Sequence, residues 1–212
     1  MQEKNLWFVI QGPMDFYDDV KNSYNGFSNV IWSTWKNEKS KIEHEKYYIL
    51  NNPPFCPGKQ NINYQIRSTM AGLKYAKKLG AKYVFKIRSD IAFDNLGLLL
   101  SKLKFDNTLY FPAYCYLENG YLIDYFQFGP IDKMLQLWNM PLKFEKLHKK
   151  YPEYYLTQNF ISKFKNEEIR YIIPILKEHG LSYCWFKHPE NYTVIKNSPN
   201  TFGYRYLFNK EI

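Results

Sequence analysis

The sequence predicts an α/β protein in which a mostly parallel β-sheet is flanked by helices. Three observations lead to this fold class. Short apolar segments stop abruptly at turn residues, a long helical repeat lies between two of them, and strand-like and helix-like segments alternate along the first half of the chain.

The first strand is predicted over residues 6–10, which are apolar throughout and are followed by Gln11-Gly12-Pro13. A short apolar run that is broken by glycine and proline is typical of an interior parallel strand. A helix is predicted over about residues 15–24, and two further strands over residues 29–35 and 46–50. An Asn-Asn-Pro-Pro segment then interrupts the regular structure.

The next helix has the clearest pattern in the chain. Asn61 stands at the expected N-cap, and Gly80 stands just past the expected end. A strand over residues 81–87 follows and leads to Arg88-Ser89-Asp90. Between the two ends, apolar residues recur at helical spacing: Ile62, Ile66, Met70, Leu73 and Ala76.

The second half is less regular. Helices are predicted over residues 96–103, 130–138 and 153–165, and strands over residues 108–112, 123–129 and 181–186. The residues beyond Pro189 are predicted to form a loop that folds back. Because no internal repeat and no linker is visible, residues 1–212 are predicted to form a single domain.

The composition gives a packed core and a basic surface. Of the 212 residues, 45% are hydrophobic and 19% aromatic, and 29 basic against 20 acidic side chains give a net charge of +9. A positive charge favours nucleic acid, phosphorylated small molecules or an anionic membrane as partners. The basic residues are spread along the chain, so a solvated lysine surface is an equal alternative, and no arginine-rich arm or zinc-finger spacing is present.

The sequence favours a cytoplasmic location. Its three cysteines are far apart and show neither a disulfide framework nor metal-binding spacing. The N-terminus lacks the pattern of a signal peptide, and no apolar run approaches the roughly 20 residues that span a bilayer. Any contact with a membrane is therefore expected to be peripheral, on its inner face.

Three short segments follow candidate parallel strands: Gln11-Gly12-Pro13, Ser33-Thr34-Trp35 and Arg88-Ser89-Asp90. In a parallel sheet they lie on one edge, where ligands bind. Gly12 would let the backbone approach a ligand, Trp35 could stack on a base or sugar, and Ser33 or Thr34 could bond ribose hydroxyls. Ordinary turn chemistry is the alternative for each segment taken alone.

Asp90 is the sharpest candidate for a metal ligand. A carboxylate contacts a pyrophosphate favourably through a bridging cation such as Mg²⁺, while Arg88 offers a planar fork to phosphate or ribose oxygens. In the alternative, Asp90 caps a helix near residues 91–96 and Arg88 is its surface partner. These two interpretations are equally supported by the isolated triplet.

Further candidates lie elsewhere in the chain. The helix that begins at Asn61 could bind an anion at its N-terminus with Gln65 and Arg67 nearby, although Arg67 could equally be a surface residue. Asp124, Glu153 and, less strongly, Asp132 are candidate acid–base groups, against buried or capping roles. His188 is a weak candidate for a ligand.

Taken together, these segments resemble the WavE family of bacterial lipopolysaccharide and capsule synthesis proteins. The resemblance covers roughly residues 6–160, with a weak match at Pro152-Glu153-Tyr154-Tyr155. The main matching segments stand in order: Val9-Ile10-Gln11-Gly12-Pro13, Val30-Ile31-Trp32-Ser33-Thr34-Trp35, residues 61–73, residues 83–90, and Asp124-Tyr125-Phe126-Gln127-Phe128-Gly129.

The resemblance implies a glycosyltransferase with a GT-A-like, Rossmann-like fold, residues 1–95 forming the nucleotide-binding half and residues 96–212 the acceptor half. Arg88-Ser89-Asp90 looks like a degenerate Asp-x-Asp motif, in which Asp90 would hold Mn²⁺ or Mg²⁺ and Arg88 stands where the first Asp often lies.

The expected activity is transfer of a sugar from a nucleotide-sugar donor to a glycan or glycolipid acceptor of lipopolysaccharide or capsule. Asp124 or Glu153 would deprotonate the acceptor if the reaction inverts configuration. Two alternatives remain: a sugar-phosphate or phosphoryl transferase that uses the same edge, and a nucleic-acid-binding module, which the lack of a clustered basic stripe disfavours.

Overall fold

The computed structural model describes residues 5–115, 121–144, 150–185 and 195–197. In these ranges the strands are β1 (Leu6–Gln11), β2 (Val30–Trp35), β3 (Tyr48–Asn51), β4 (Tyr83–Arg88), β5 (Ile91–Phe93), β6 (Leu109–Phe111), β7 (Tyr114–Cys115), β8 (Tyr121–Leu122), β9 (Phe126–Pro130), β10 (Ile169–Tyr171), β11 (Tyr183–Trp185) and β12 (Ile195–Asn197). The α-helices are α1 (Tyr17–Val20), α2 (Lys39–Ile42), α3 (Ile62–Lys78), α4 (Leu96–Lys102), α5 (Ile131–Trp138), α6 (Pro152–Phe164) and α7 (Ile172–Glu178). Short 3-10 turns occur at Lys21–Tyr24, Lys36–Glu38 and Lys59–Asn61.

The main sheet has seven strands in the order β10-β6-β9-β4-β1-β2-β3. The four strands β4, β1, β2 and β3 run parallel, and β10 is parallel to β6. Strand β9 is antiparallel to both of its neighbours, β4 and β6. The predicted α/β class with a mostly parallel sheet is therefore confirmed, and the arrangement is compatible with a Rossmann-like fold.

Helices cover both faces of this sheet, and β1 shows why its sequence is apolar throughout. Leu6, Phe8 and Ile10 pack into a core with α1, α4 and α7 on one face. Trp7 and Val9 pack into a second core with α3, α5 and α6 on the other face. Because both sides of the strand are buried, neither side carries the polar alternation of a half-exposed strand.

The register of β1 brings the three predicted strand ends together. Gln11 pairs with Ser33 of β2 on one side and with Arg88 of β4 on the other. Helix α3 packs closely on this part of the sheet, since a Cβ atom at Gly72 would lie only 2.3 Å from Val9 Cγ1. The prediction that these strands end at one edge is confirmed.

Some predicted elements have different bounds. The helix predicted over residues 15–24 is the short α1 followed by a 3-10 turn. The strand predicted over residues 123–129 begins at Phe126, where pairing with Ile87 near the end of β4 starts. The sequence predicts a loop for the tail, but residues 195–197 form β12 against β11. The remaining residues beyond Pro189 lie outside the described ranges.

Asn61 is the N-cap residue of α3, as predicted, but the side-chain cap expected of it is not formed. Asn61 has φ 61°, in the left-handed region, and its side chain makes no capping hydrogen bond. The preceding Gln60 also has positive φ, because the chain turns sharply into the helix. The backbone N–H of Asn63 instead donates to the Pro57 carbonyl at 3.0 Å. By contrast, Gly80 has φ 88° just past the helix, as predicted.

Candidate functional site

A large cleft of about 1140 Å³ opens at the carboxyl ends of β1, β2 and β4. Both halves of the chain contribute residues to the cleft, and those of the first half include the N-terminal turn of α3. It lies where open α/β sheets bind ligands. Nine of the candidate residues line it: Gln11, Gly12, Pro13, Trp35, Asn61, Gln65, Arg88, Asp90 and Glu153.

Other candidates do not line the cleft. Ser33 and Thr34 are completely buried beneath it, where Ser33 donates to the Ser68 carbonyl and Thr34 to the Glu38 carboxylate. Arg67 donates to the carbonyls of Asn52 and Pro53 and so supports the turn after β3. Asp132 pairs with Lys77 on the surface, and His188 lies outside the described residues.

Arg88 is the central polar residue of the cleft. Its Nε and Nη2 atoms donate to the two carboxylate oxygens of Asp90 at 3.0 and 2.5 Å. The guanidinium also lies 5.2 Å from the Tyr125 ring centroid and 5.5 Å from that of Trp185. These contacts fix the orientation of the guanidinium, and a guanidinium that is held in place is chemically suited to an anion.

One edge of the Arg88 guanidinium remains open. Burial lowers the pKa of Arg88, but the charges of Asp90 and Asp124 more than offset this, so the pKa lies above its ordinary value. The Nη1 amino group has no hydrogen-bond partner among the residues that the structure describes. A ligand anion in the cleft could therefore accept hydrogen bonds from a guanidinium that is already held in place.

Asp90 does not cap a helix, because residues 91–93 form strand β5. Ile91 and Phe93 are buried and pair with Trp185 and Tyr183 of β11. The next helix, α4, is capped instead by Asn95, whose side chain accepts from the Leu98 N–H at 2.9 Å. The capping alternative for Asp90 is therefore wrong, whereas its pairing with Arg88 is observed.

The surroundings of Asp90 do not fit the divalent metal that the resemblance implies. Its two oxygens already accept hydrogen bonds from Arg88, and Oδ2 accepts a third from Trp185 Nε1 at 2.8 Å. A divalent cation would have to lie next to the guanidinium charge. No group of three or more His, Cys, Asp or Glu residues in the described ranges is arranged to hold a metal.

The carboxylates in the cleft are only partly balanced by basic side chains. Four of them and one arginine belong to the described lining. Asp15 and Glu38 both pair with Lys41, at 3.2 and 3.5 Å, and Asp90 pairs with Arg88. The fourth carboxyl group, Glu153, adds a further negative charge to the cleft when it is ionised.

Glu153 is the second residue of α6, and it lines the cleft together with Pro152. Burial, with the nearby Asp124 charge, raises the pKa of Glu153 to about 7. A carboxyl group with this pKa exchanges protons at neutral pH, as a general base must. The position of Glu153 in the first turn of α6 is also the one expected for an acidic residue near a helix N-terminus.

Asp124 lies behind the cleft rather than in its lining. It is 1% exposed, and neither carboxylate oxygen has a hydrogen-bond partner among the described residues, so the alternative role, a buried Asp that bonds backbone N–H groups, is not observed. The fully buried Lys86 donates to the Asp124 carbonyl at 2.6 Å, and burial lowers the pKa of Lys86 to about 8. Asp124 therefore contributes negative charge beneath Glu153 and Arg88.

The loops after β1 and β4 are tied to each other. Ser89 N–H donates to the Gln11 carbonyl at 2.9 Å, and Ser89 Oγ donates to the Pro13 carbonyl at 2.6 Å. Gln11 is 2% exposed and accepts from Ser68 Oγ at 2.7 Å. At Gly12, φ is 129° and a Cβ atom would lie 2.5 Å from Ser89 Oγ, so only glycine fits there without a shift.

We expect Gly12→Ala to destabilise the fold by about 1–3 kcal/mol, because strain at positive φ adds to the clash with Ser89. Equilibrium unfolding in denaturant measures this change. The control is Gly97→Ala in α4, where the new Cβ meets only Asn95 Oδ1 at 3.8 Å. The Gly97→Ala change should be neutral or stabilising by up to about 1 kcal/mol. A Gly12→Ala variant as stable as the native protein would refute the close approach of residue 12 to Ser89.

Sequence reasoning missed four aromatic residues of the cleft: Phe16, Tyr64, Tyr125 and Trp185. Tyr125 and Trp185 flank Arg88, and Tyr64 packs edge-on against Trp35 with ring centroids 4.6 Å apart. Trp185 and Asp90 are 95 positions apart, so no local pattern connects them. For Tyr64 there was a signal, since it stands one residue before the candidate Gln65 on the same helical turn.

Comparison with known proteins does not assign the chain to a family. No family model matches it, and no curated protein matches it. Across the described parts of the chain, no helix combines the length and apolar character needed to cross a membrane.

Proposed function

We propose that this protein is a glycosyltransferase of GT-A-like fold that transfers a sugar from a nucleotide donor to a surface glycan or glycolipid. One observation carries the proposal: a guanidinium with an open edge and a carboxyl group of pKa about 7 line the same cleft at the carboxyl ends of parallel strands. The first group suits a diphosphate and the second suits activation of a hydroxyl.

The donor diphosphate is placed at Arg88. Its Nη1 group donates to phosphate oxygens while Nε and Nη2 remain bonded to Asp90. The nucleoside extends toward the β1 and β2 ends, where Gln11, Trp35 and Tyr64 line the cleft. In this arrangement the arginine stabilises the negative charge that grows on the leaving diphosphate, which is the main electrostatic requirement of the reaction.

Glu153 is placed as the base of an inverting transfer. Its carboxylate takes the proton of the acceptor hydroxyl as that oxygen forms a bond to the anomeric carbon of the donor sugar. The bond between the anomeric carbon and the phosphate oxygen breaks, and the nucleoside diphosphate leaves with the bonding electrons. Asp124 acts through Glu153, because its buried charge helps to keep the Glu153 pKa near neutral.

The size and charge of the cleft separate this proposal from its alternatives. A volume of about 1140 Å³ is larger than most single-ligand sites and gives room for a donor and an acceptor. A sugar phosphate alone would fill a smaller part of this volume than a nucleotide sugar together with an acceptor. A nucleic-acid groove would be lined by many basic residues, whereas the described lining has four carboxylates and one arginine.

A thermal-shift panel of nucleotide sugars, nucleoside diphosphates and free sugar phosphates tests the proposal. We expect at least one nucleotide sugar to raise the melting temperature, equally in EDTA and in Mn²⁺, because Arg88 rather than a cation holds the diphosphate. Stabilisation by sugar phosphates alone would favour the sugar-phosphate transferase. Stabilisation that requires Mn²⁺ would overturn the arginine-only site, and no response to any nucleotide would contradict the proposed function.

A further inference from the structure

Exposed aromatic side chains and lysines gather at one mouth of the cleft. Phe55 is fully exposed, Phe144 is 53% exposed and Tyr151 is 43% exposed. The partly buried Lys59 lies over the Tyr151 ring, and the partly buried Lys143 directly precedes Phe144. We call these five residues the aromatic–lysine rim. Six large hydrophobic residues are exposed in the described parts of the chain, so half of them belong to this one surface.

The contacts of two side chains hold the rim together. Asn63 donates to the carbonyls of Cys56 and Lys143, at 2.9 and 2.6 Å, and accepts from the Lys143 N–H at 2.6 Å. The neighbours of Phe55 and Phe144 are therefore tied to the same residue of α3. Lys59 Nζ lies 4.4 Å from the Tyr151 ring centroid and connects the third aromatic residue.

The rim borders the cleft directly. Pro57, Gln60 and Asn61 line the cleft on the segment that carries Phe55 and Lys59. Pro152 and Glu153 line it immediately after Tyr151. A flat partner that covers the rim would therefore lie across the entrance through which an acceptor reaches Glu153.

The charge of this surface is positive. Neither Lys59 nor Lys143 forms an ion pair with a carboxylate of the described residues, and the same holds for Lys150 next to Tyr151. Each of these lysines lies over a tyrosine ring, at 4.4, 4.9 and 5.8 Å from the centroid. Lys150 is exposed, whereas Lys59 and Lys143 are partly buried against these rings, and no carboxylate of the described residues neutralises any of the three amino groups.

We propose that the aromatic–lysine rim docks the protein on an anionic phospholipid membrane. Phenylalanine has no polar group to match sugar hydroxyls, but it partitions into the boundary between headgroups and acyl chains. Lysines beside it are attracted to the negative headgroups. A membrane bound in this way would present a lipid-linked molecule at the mouth of the cleft.

Vesicle co-sedimentation tests this surface, using phosphatidylcholine vesicles with and without about 30% phosphatidylglycerol. We expect binding to the anionic vesicles to exceed that to neutral vesicles by about tenfold or more, and to weaken as salt is added. The double variant Phe55→Ser/Phe144→Ser should lose binding about tenfold or more, because its apolar contact is gone. Lys59→Ala/Lys143→Ala should lose the preference for anionic vesicles.

The matched control is Leu98→Ser/Ile161→Ser, which changes two exposed apolar residues on α4 and α6 outside the rim and should bind like the native chain. Melting temperatures of all variants separate loss of docking from loss of fold. Failure of the native chain to bind vesicles, or undiminished binding of the phenylalanine variant, would overturn the proposal. So would retention by a soluble acidic polysaccharide without vesicle binding, which would assign the rim to a glycan. The assay needs no sugar donor, so its outcome is independent of the proposed transferase activity.

Discussion

Replacement of Arg88 by alanine is expected to weaken binding of the nucleotide donor by about 10- to 150-fold, the range given by loss of a hydrogen bond to a charged group. The guanidinium is the only basic group in the described lining of the cleft, and its Nη1 edge is open to a ligand. Isothermal titration calorimetry with a nucleoside diphosphate measures the change directly.

Two further variants make the Arg88 result decisive. Arg88→Ala leaves Asp90 without its partner, so Arg88→Lys is needed as a variant that keeps the charge but removes the fork; it should still weaken binding about tenfold or more. The control is Arg170→Ala, because Arg170 pairs with Asp106 at 2.7 Å and is 28% exposed, much like Arg88 at 22%, but lies outside the cleft lining. Equal affinities of the native, Arg88→Lys and Arg170→Ala proteins would remove Arg88 from the donor site.

Replacement of Glu153 by glutamine is expected to lower the rate of sugar transfer by about 10²- to 10⁴-fold, the usual contribution of a general base. Donor affinity should change little, since the residue acts on the acceptor. Because the pKa of Glu153 is raised to about 7, the basic form accumulates as the pH rises through 7, and the native rate should rise over the same interval. The Glu153→Gln variant should lack this rise.

Asp124→Asn supplies a second readout for the same site. Removing the buried negative charge should lower the Glu153 pKa, so the rise in rate should move to lower pH. Glu178→Gln on the exposed end of α7 is the matched control and should leave both rate and pH profile unchanged. A Glu153→Gln enzyme with native rate and pH dependence would show that another group takes the proton.

The central part of the fold could be predicted because burial leaves a simple mark on the sequence. Residues 6–10 are apolar on both faces of β1, and the strand stops where Gly12 and Pro13 end the pattern. Once β1, β2 and β4 are recognised as parallel, their ends must share one edge. The convergence of Gln11, Trp35, Arg88 and Asp90 on one cleft follows from that topology.

The fine structure of the site depends on contacts that no local pattern contains. Ser33 lies directly opposite Gln11, but its hydroxyl faces α3 and bonds Ser68. Trp185 reaches Asp90 only because β11 pairs with β5, a short strand whose apolar residues are also compatible with a helix. Asn61 has the right residue type for a cap but the wrong backbone conformation. The direction of the Ser33 hydroxyl, the Trp185–Asp90 contact and the Asn61 backbone conformation all depend on tertiary packing, which residue preferences alone do not determine.

A crystal structure of the protein with a bound nucleoside diphosphate would show whether Arg88 holds the donor. We expect the diphosphate to lie within hydrogen-bond distance of Arg88 Nη1, the Arg88–Asp90 pair to be retained, and the nucleoside to extend toward Gln11 and Trp35. A nucleotide bound elsewhere, or a divalent cation between Asp90 and the phosphates with Arg88 displaced, would contradict this expectation.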